Sequence, residues 1–162
     1  MSPNLMPRTA AVTGTVSALA LAQKGRSKKL GLKRFFTKEG THSFDTVGWR
    51  KVKITVRGSG MNSTVEEREL EFPDFWSDNA ALIAGSKYFR GRIGSPERET
   101  SVRQMITRVV QTIRGWGLTF GHFESEADAD LFADELTHIL LHQRAAFYSP
   151  VWFNVGIAEK PQ

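Results

Sequence analysis

Cysteine is absent from the chain. Its absence excludes disulfide scaffolds, thiolate zinc sites and cysteine nucleophiles for the chain as it stands. Long apolar runs are missing too, and no stretch approaches the ~20 residues that a membrane-spanning helix needs. Gly58-Ser59-Gly60 lacks a third glycine and a following helix, so it is no phosphate-cradling loop. No nucleophile elbow supports a Ser-His-Asp arrangement. Acidic residues are missing from residues 1–31, which carry Arg8, Lys24, Arg26, Lys28 and Lys29. The whole chain has 22 basic and 17 acidic residues and a net charge of +5, so everything after residue 31 balances to zero. The pI near 9.7 therefore describes a tail. The basic stripe of a nucleic-acid binder is not implied.

What is present suits one globular domain with an extension: 162 residues, of which 40% are hydrophobic and 24% charged. Aromatic residues crowd into positions 35–153. Within residues 1–30, Thr9–Ala22 is mildly apolar, follows Arg8 and ends in Ala-Leu-Ala, a faint signal-peptide pattern. Thr13, Gly14, Thr15 and Ser17 spoil it, and a disordered basic tail over 1–30 is the preferred reading.

From Leu32 the texture becomes that of a folded body. In Val47–Arg57, Val52, Ile54 and Val56 alternate with Lys51, Lys53 and Thr55, which predicts a strand with one wet face. Gly58–Ser63 reads as a loop and Val65–Phe72 as the returning strand of a hairpin, although Glu66-Glu67-Arg68-Glu69 weakens the pattern. Trp76–Arg90 reads as a helix with Ser77 as N-cap. Val102, Met105, Ile106, Val109, Val110 and Ile113 form one helical stripe, expected from about Thr100 to Trp116 and ended by Gly115 and Gly117. A last helix is expected from the box Ser125/Asp128 to about Phe147. Ser149 precedes Pro150 and should therefore be extended, leading into an apolar strand, Val151–Val155.

Several constellations carry possible chemistry. Glu135, His138 and His142 share a helix face, but a di-iron bundle needs Glu-x-x-His twice and a zinc site lacks its third ligand, so packed or solvated histidines are favoured. Lys87-Tyr88-Phe89-Arg90-Gly91-Arg92 interleaves rings and cations; it suits base stacking, or a helix end with Tyr88 and Phe89 packed inward. Ser95-Pro96-Glu97-Arg98-Glu99-Thr100-Ser101 reads as a helix start or part of a phosphate-facing loop. Ser149, between a helix and an apolar segment, offers a hydroxyl either as a structural cap or to a ligand.

Three stretches resemble the class II, adenosylcobalamin-dependent ribonucleotide reductases. They are Arg34-Phe35-Phe36-Thr37-Lys38-Glu39-Gly40; Ser86-Lys87-Tyr88-Phe89-Arg90-Gly91 leading to Glu97-Arg98-Glu99-Thr100-Ser101-Val102; and Leu141-His142-Gln143 through Ser149-Pro150-Val151-Trp152-Phe153-Asn154-Val155-Gly156. They occur in the family's order, the likeness covers about residues 31–162, and the third stretch is the most specific. The resemblance implies an amino-terminal fragment of an enzyme, a ribonucleoside-diphosphate reductase in its full form, that makes deoxyribonucleotides by thiyl-radical chemistry. In the family a Cys-Ser-Ala-Cys pattern soon follows Phe-Asn-Val-Gly, whereas this sequence reads Lys160-Pro161-Gln162 there. The redox dithiol, the radical cysteine and the adenosylcobalamin-binding segments are thus expected downstream, and the fragment alone is expected to be inactive. The family's substrate-contacting serine matches Ser149; the preceding residue, commonly Asn in the family, is Tyr148 here.

The expected architecture is α+β and mainly helical: a basic tail (1–30), a hairpin and about three helices (31–147), and a terminal strand (148–162) opening the reductase α/β barrel. Expected partners are a ribonucleotide, a thioredoxin-type reductant and, at full length, a second copy, in the cytoplasm, with no nucleic acid and no membrane. The competing reading is a stand-alone helical module that binds a protein or nucleic acid.

Overall fold

The computed structural model describes residues 30–57 and 65–157. Of the basic tail expected over residues 1–30 all but Leu30, and likewise the loop at Gly58–Ser63, lie outside the described residues. Strands β1 (Trp49–Arg57) and β2 (Val65–Pro73) pair antiparallel, with Val52 opposite Leu70 and Trp49 opposite Pro73. The alternation explains the orientation: Ile54, Val56, Leu70 and Phe72 are buried, while Lys51, Lys53 and Thr55 are exposed. The acidic run that blurred β2 has a simple origin. Glu71 stands opposite Lys51 and Glu69 opposite Lys53, so the outer face is a ladder of opposite charges.

The hairpin's apolar face packs against helices. Ser77 caps α1 (Asp78–Ile83), as expected, by accepting from Ala80 N. The expected single helix to Arg90 instead widens into a π turn, Ala84–Tyr88, before Phe89 becomes extended. Gly85 explains the close approach there: a Cβ would lie 2.7 Å from Leu70 Cδ1 and 2.8 Å from Ile54 Cδ1. Helix α2 (Val102–Thr119) buries Val102, Met105, Ile106, Val109 and Val110, each worth about 1.5–3 kcal/mol of transfer free energy. Its capping box is Ser101/Gln104, so Ser95–Glu99 is a loop before the helix and not its first turn.

Three further elements differ from expectation. Gly115 and Gly117 do not end α2. Gly117 leaves room for the Phe123 ring, which a Cβ would meet at 2.2 Å. The helix stops at Gly121 (φ +68), where Gly121 N bonds Leu118 O and His122 N bonds Gly117 O, the paired bonds of a Schellman turn. Helix α3 (Glu126–Leu141), capped by Ser125, ends well before Phe147. There Gln143 takes φ +53, Gln143 N and Arg144 N bond Leu140 O and Ile139 O, and the buried Trp76 indole donates to Leu141 O at 2.8 Å. The third correction concerns the terminal strand.

Val151–Val155 forms no strand. Ser149–Asn154 is a short helix, α4, and the extended residue is Tyr148, one position earlier than expected. Pro150 sits in the first helical turn, where a missing N–H costs nothing. Trp152 is buried in the same core as the hairpin and α2. The α+β, mainly helical class holds; the barrel-opening strand does not.

Gln143 occupies a left-handed position that favours glycine. Gln143→Gly should stabilise the chain by about 0.5–1 kcal/mol and raise the melting temperature by about 2–5 °C, read by thermal unfolding.

Candidate functional site

The second and third resembling stretches meet around α4. The π turn ends on Tyr88, whose hydroxyl lies 3.1 Å from Ser149 Oγ. Its ring stacks on Phe153 at 5.3 Å, and the Arg90 guanidinium sits 6.0 Å from the other ring of that pair, Phe153. Phe89, next along, is buried and stacks on Phe72, so the backbone carrying Tyr88 is anchored in the core.

Beyond Tyr88 the chain loops back through Gly91 (φ +101), where a Cβ would lie 2.5 Å from Arg98 Cα. Glu99 N donates to Arg90 O, and Arg90 N donates to Glu99 Oε2, both at 2.8 Å. Glu99 also accepts from Arg108 Nε at 2.7 Å. Arg108 Nη1 donates onward to Trp152 O at 3.2 Å and Val155 O at 2.7 Å. These are carbonyls at the end of α4, which would otherwise lack partners. The side chains of Arg108 and Glu99 are only 12% and 10% exposed, so this ion pair is an internal one. Beside it opens a cleft of about 800 Å³ lined by Arg90, Arg92, Arg98, Glu97 and Ile157, among others.

The first resembling stretch goes elsewhere. Arg34 pairs with Asp134 at 2.8 Å, and Glu135 accepts from Phe36 N, Thr37 N and Thr37 Oγ1. Burial pushes the Glu135 carboxyl up, but the bonds from Thr37, Phe36 and Phe35 outweigh that and hold it below its usual range. His138 stacks on Phe36 at 5.1 Å, touches the His142 ring at 4.2 Å, and His142 stacks on Phe75 at 5.3 Å. The Glu135/His138/His142 face is therefore a strap anchor made of rings. Among the described residues no group of three or more His, Cys, Asp or Glu is placed to hold a metal.

Ser149, singled out from the sequence, is half-buried in the first turn of α4, bonded to Tyr88 and outside the larger cleft. Sequence reasoning missed Tyr88 as its neighbour and missed the Arg108–Glu99 pair. The one available signal was that Tyr88 and Glu99 lie in a stretch carrying the same resemblance as Ser149. No helix among the described residues is long and apolar enough to cross a membrane.

Residues 50–143 match the family described as class II vitamin B12-dependent ribonucleotide reductase. Three similar relatives carry the name vitamin B12-dependent ribonucleotide reductase. That of Streptomyces avermitilis is 45% identical over 144 residues, covering 87% of this chain and 15% of the relative. That of Streptomyces coelicolor is 42% identical over 158 residues (93% and 16%), and that of Rhodopirellula baltica 40% over 136 (82% and 13%). An oxidoreductase family is thereby defined. The chain belongs to the class II vitamin B12-dependent ribonucleotide reductases, and it spans about 15% of the length of the relatives it matches.

Two predictions follow from the charges. Glu99→Ala strands Arg108 in the interior and should cost about 3–5 kcal/mol in urea unfolding, whereas breaking the more exposed Arg114–Asp130 pair should cost under about 1 kcal/mol. Burial lowers the pKa of both His138 and His142; their mutual contact and Arg144 lower His138 further against the pull of Glu135, and Arg144 lowers His142. Both folded values lie below the ordinary 6.5, so the unfolded chain takes up protons first. Their contribution is complete above that value and is lost as pH falls below it. The melting temperature should drop between pH 7 and 5, and His138→Gln/His142→Gln should flatten that slope. An equal slope in the double variant contradicts the assignment.

Proposed function

We propose that this chain is the amino-terminal part of an adenosylcobalamin-dependent reductase that converts ribonucleotides to deoxyribonucleotides by thiyl-radical chemistry, and that Ser149 contacts the nucleotide. Family membership supports the reaction, and one observation supports the site: two of the three resembling stretches converge on the Ser149 hydroxyl through Tyr88. A hydroxyl offers one donor and two acceptor positions, enough to orient a phosphate or sugar oxygen.

Radical chemistry on a thiol needs cysteine, and this sequence has none. The role of these residues is then to bind and brace, and the chain by itself reduces no ribonucleotide. Adenosylcobalamin supplies the radical when bound. The described residues do not fit it. The larger cleft is walled by guanidinium and carboxylate groups, with no flat apolar wall for a corrin. The apolar groove between Trp76, Met105, Leu140 and Trp152 is about 310 Å³, at the small end of the ~300–1,000 Å³ of ligand pockets. We place the cofactor's contacts, and those of a thioredoxin-type reductant, outside the described residues.

In a complete reductase carrying this segment, Ser149→Ala should raise KM for a ribonucleoside diphosphate about three- to tenfold, the loss of one hydrogen bond. Unchanged kinetics would remove Ser149 from the site.

A further inference from the structure

We propose that Tyr88 is a positioning residue for Ser149: its phenol donates to Ser149 Oγ and so aims the serine's own proton at an acceptor oxygen on the nucleotide's phosphate. This rests on the reading of Ser149 as a nucleotide contact. The two hydroxyls lie 3.1 Å apart, and either could donate. The two polarities differ in consequence. If Ser149 donates to Tyr88, its single proton is consumed and it presents only lone pairs, which repel a phosphate oxygen. If Tyr88 donates, the serine proton is free to point outward, and the chain Tyr O–H to Ser O–H to phosphate polarises in one direction. An anionic ligand therefore selects the second polarity.

Tyr88 is built to hold that alignment. Ser149 and Phe153 are spaced i and i+4 on the six-residue α4, so one face of it supplies both the hydrogen-bond partner and the stacking partner of the same tyrosine. The π turn supports the tyrosine from the other side, since its last residue is Tyr88 and Phe89 behind it is buried to 2% exposure. Single π turns within helices are frequent at functional sites. Phe in place of Tyr keeps the stack and removes only the hydroxyl.

The test uses the complete reductase as holoenzyme, with Tyr88→Phe, Ser149→Ala and the double variant. The expected result is a KM for a ribonucleoside diphosphate raised about three- to tenfold in Tyr88→Phe, with kcat and melting temperature unchanged. The Ki of inorganic pyrophosphate as a competitor should rise by the same factor, and the double variant should be no worse than Ser149→Ala. If Ser149→Ala raises KM and Tyr88→Phe does not, the positioning role is wrong and the serine's role stands. If Ser149→Ala is neutral, the serine's role itself falls, and this inference with it. A Tyr88→Phe variant that melts early with normal KM, a KM effect without a change in Ki, or additive losses in the double variant would each overturn it.

Discussion

Arg108 reaches from the middle of α2 to two places that are distant in sequence, the Glu99 carboxylate on one side and the last carbonyls of α4 on the other. A guanidinium this enclosed is costly to desolvate, and the cost is offset only when its donors are met in good geometry. Here Nε and Nη2 go to the carboxylate and Nη1 to Trp152 O and Val155 O. Glu99 in turn takes the Arg90 N–H. One side chain thereby fixes the loop that follows Tyr88 and the helix that bears Ser149. The Tyr88–Ser149 contact depends on that frame, because each partner stands on one of the two segments that Arg108 joins.

A second anchor works on the opposite flank. The segment around Arg34–Thr37 has no regular structure, and its amides must find acceptors. Glu135 provides them from the middle of α3, Asp134 holds Arg34, and Phe36 lies flat on His138. The amides and hydroxyl that bond the carboxylate lower its pKa, while burial and Arg144 lower those of both histidines. The face whose residue types suggest metal chemistry holds a strap in place.

Much of the architecture was legible from residue pattern. The hairpin followed from alternation at Val52, Ile54 and Val56, and α2 from a stripe of apolar residues at helical spacing. Of the candidate site, one residue was singled out from the sequence. Ser149 was reached through resemblance, and its partner was not, because a π turn has no compositional mark: Ala84-Gly85-Ser86-Lys87-Tyr88 reads as ordinary helix until the packing of Gly85 against Leu70 and Ile54 is known.

The sequence by itself determined the hairpin, the faces of α2 and α3, the helix-starting serines and the family, since these rest on local periodicity, capping chemistry and a run of motifs in order. Only the tertiary structure decided where α3 stops and what Ser149–Val155 becomes. A short apolar run suits a strand or a helix equally well by pattern. Its fate was settled by contacts far away in the chain: burial of Trp152 in the common core, and an arginine on α2 that caps the carbonyls a helix leaves open. Gln143 stops α3 for a similar reason, because Trp76 takes the carbonyl of Leu141.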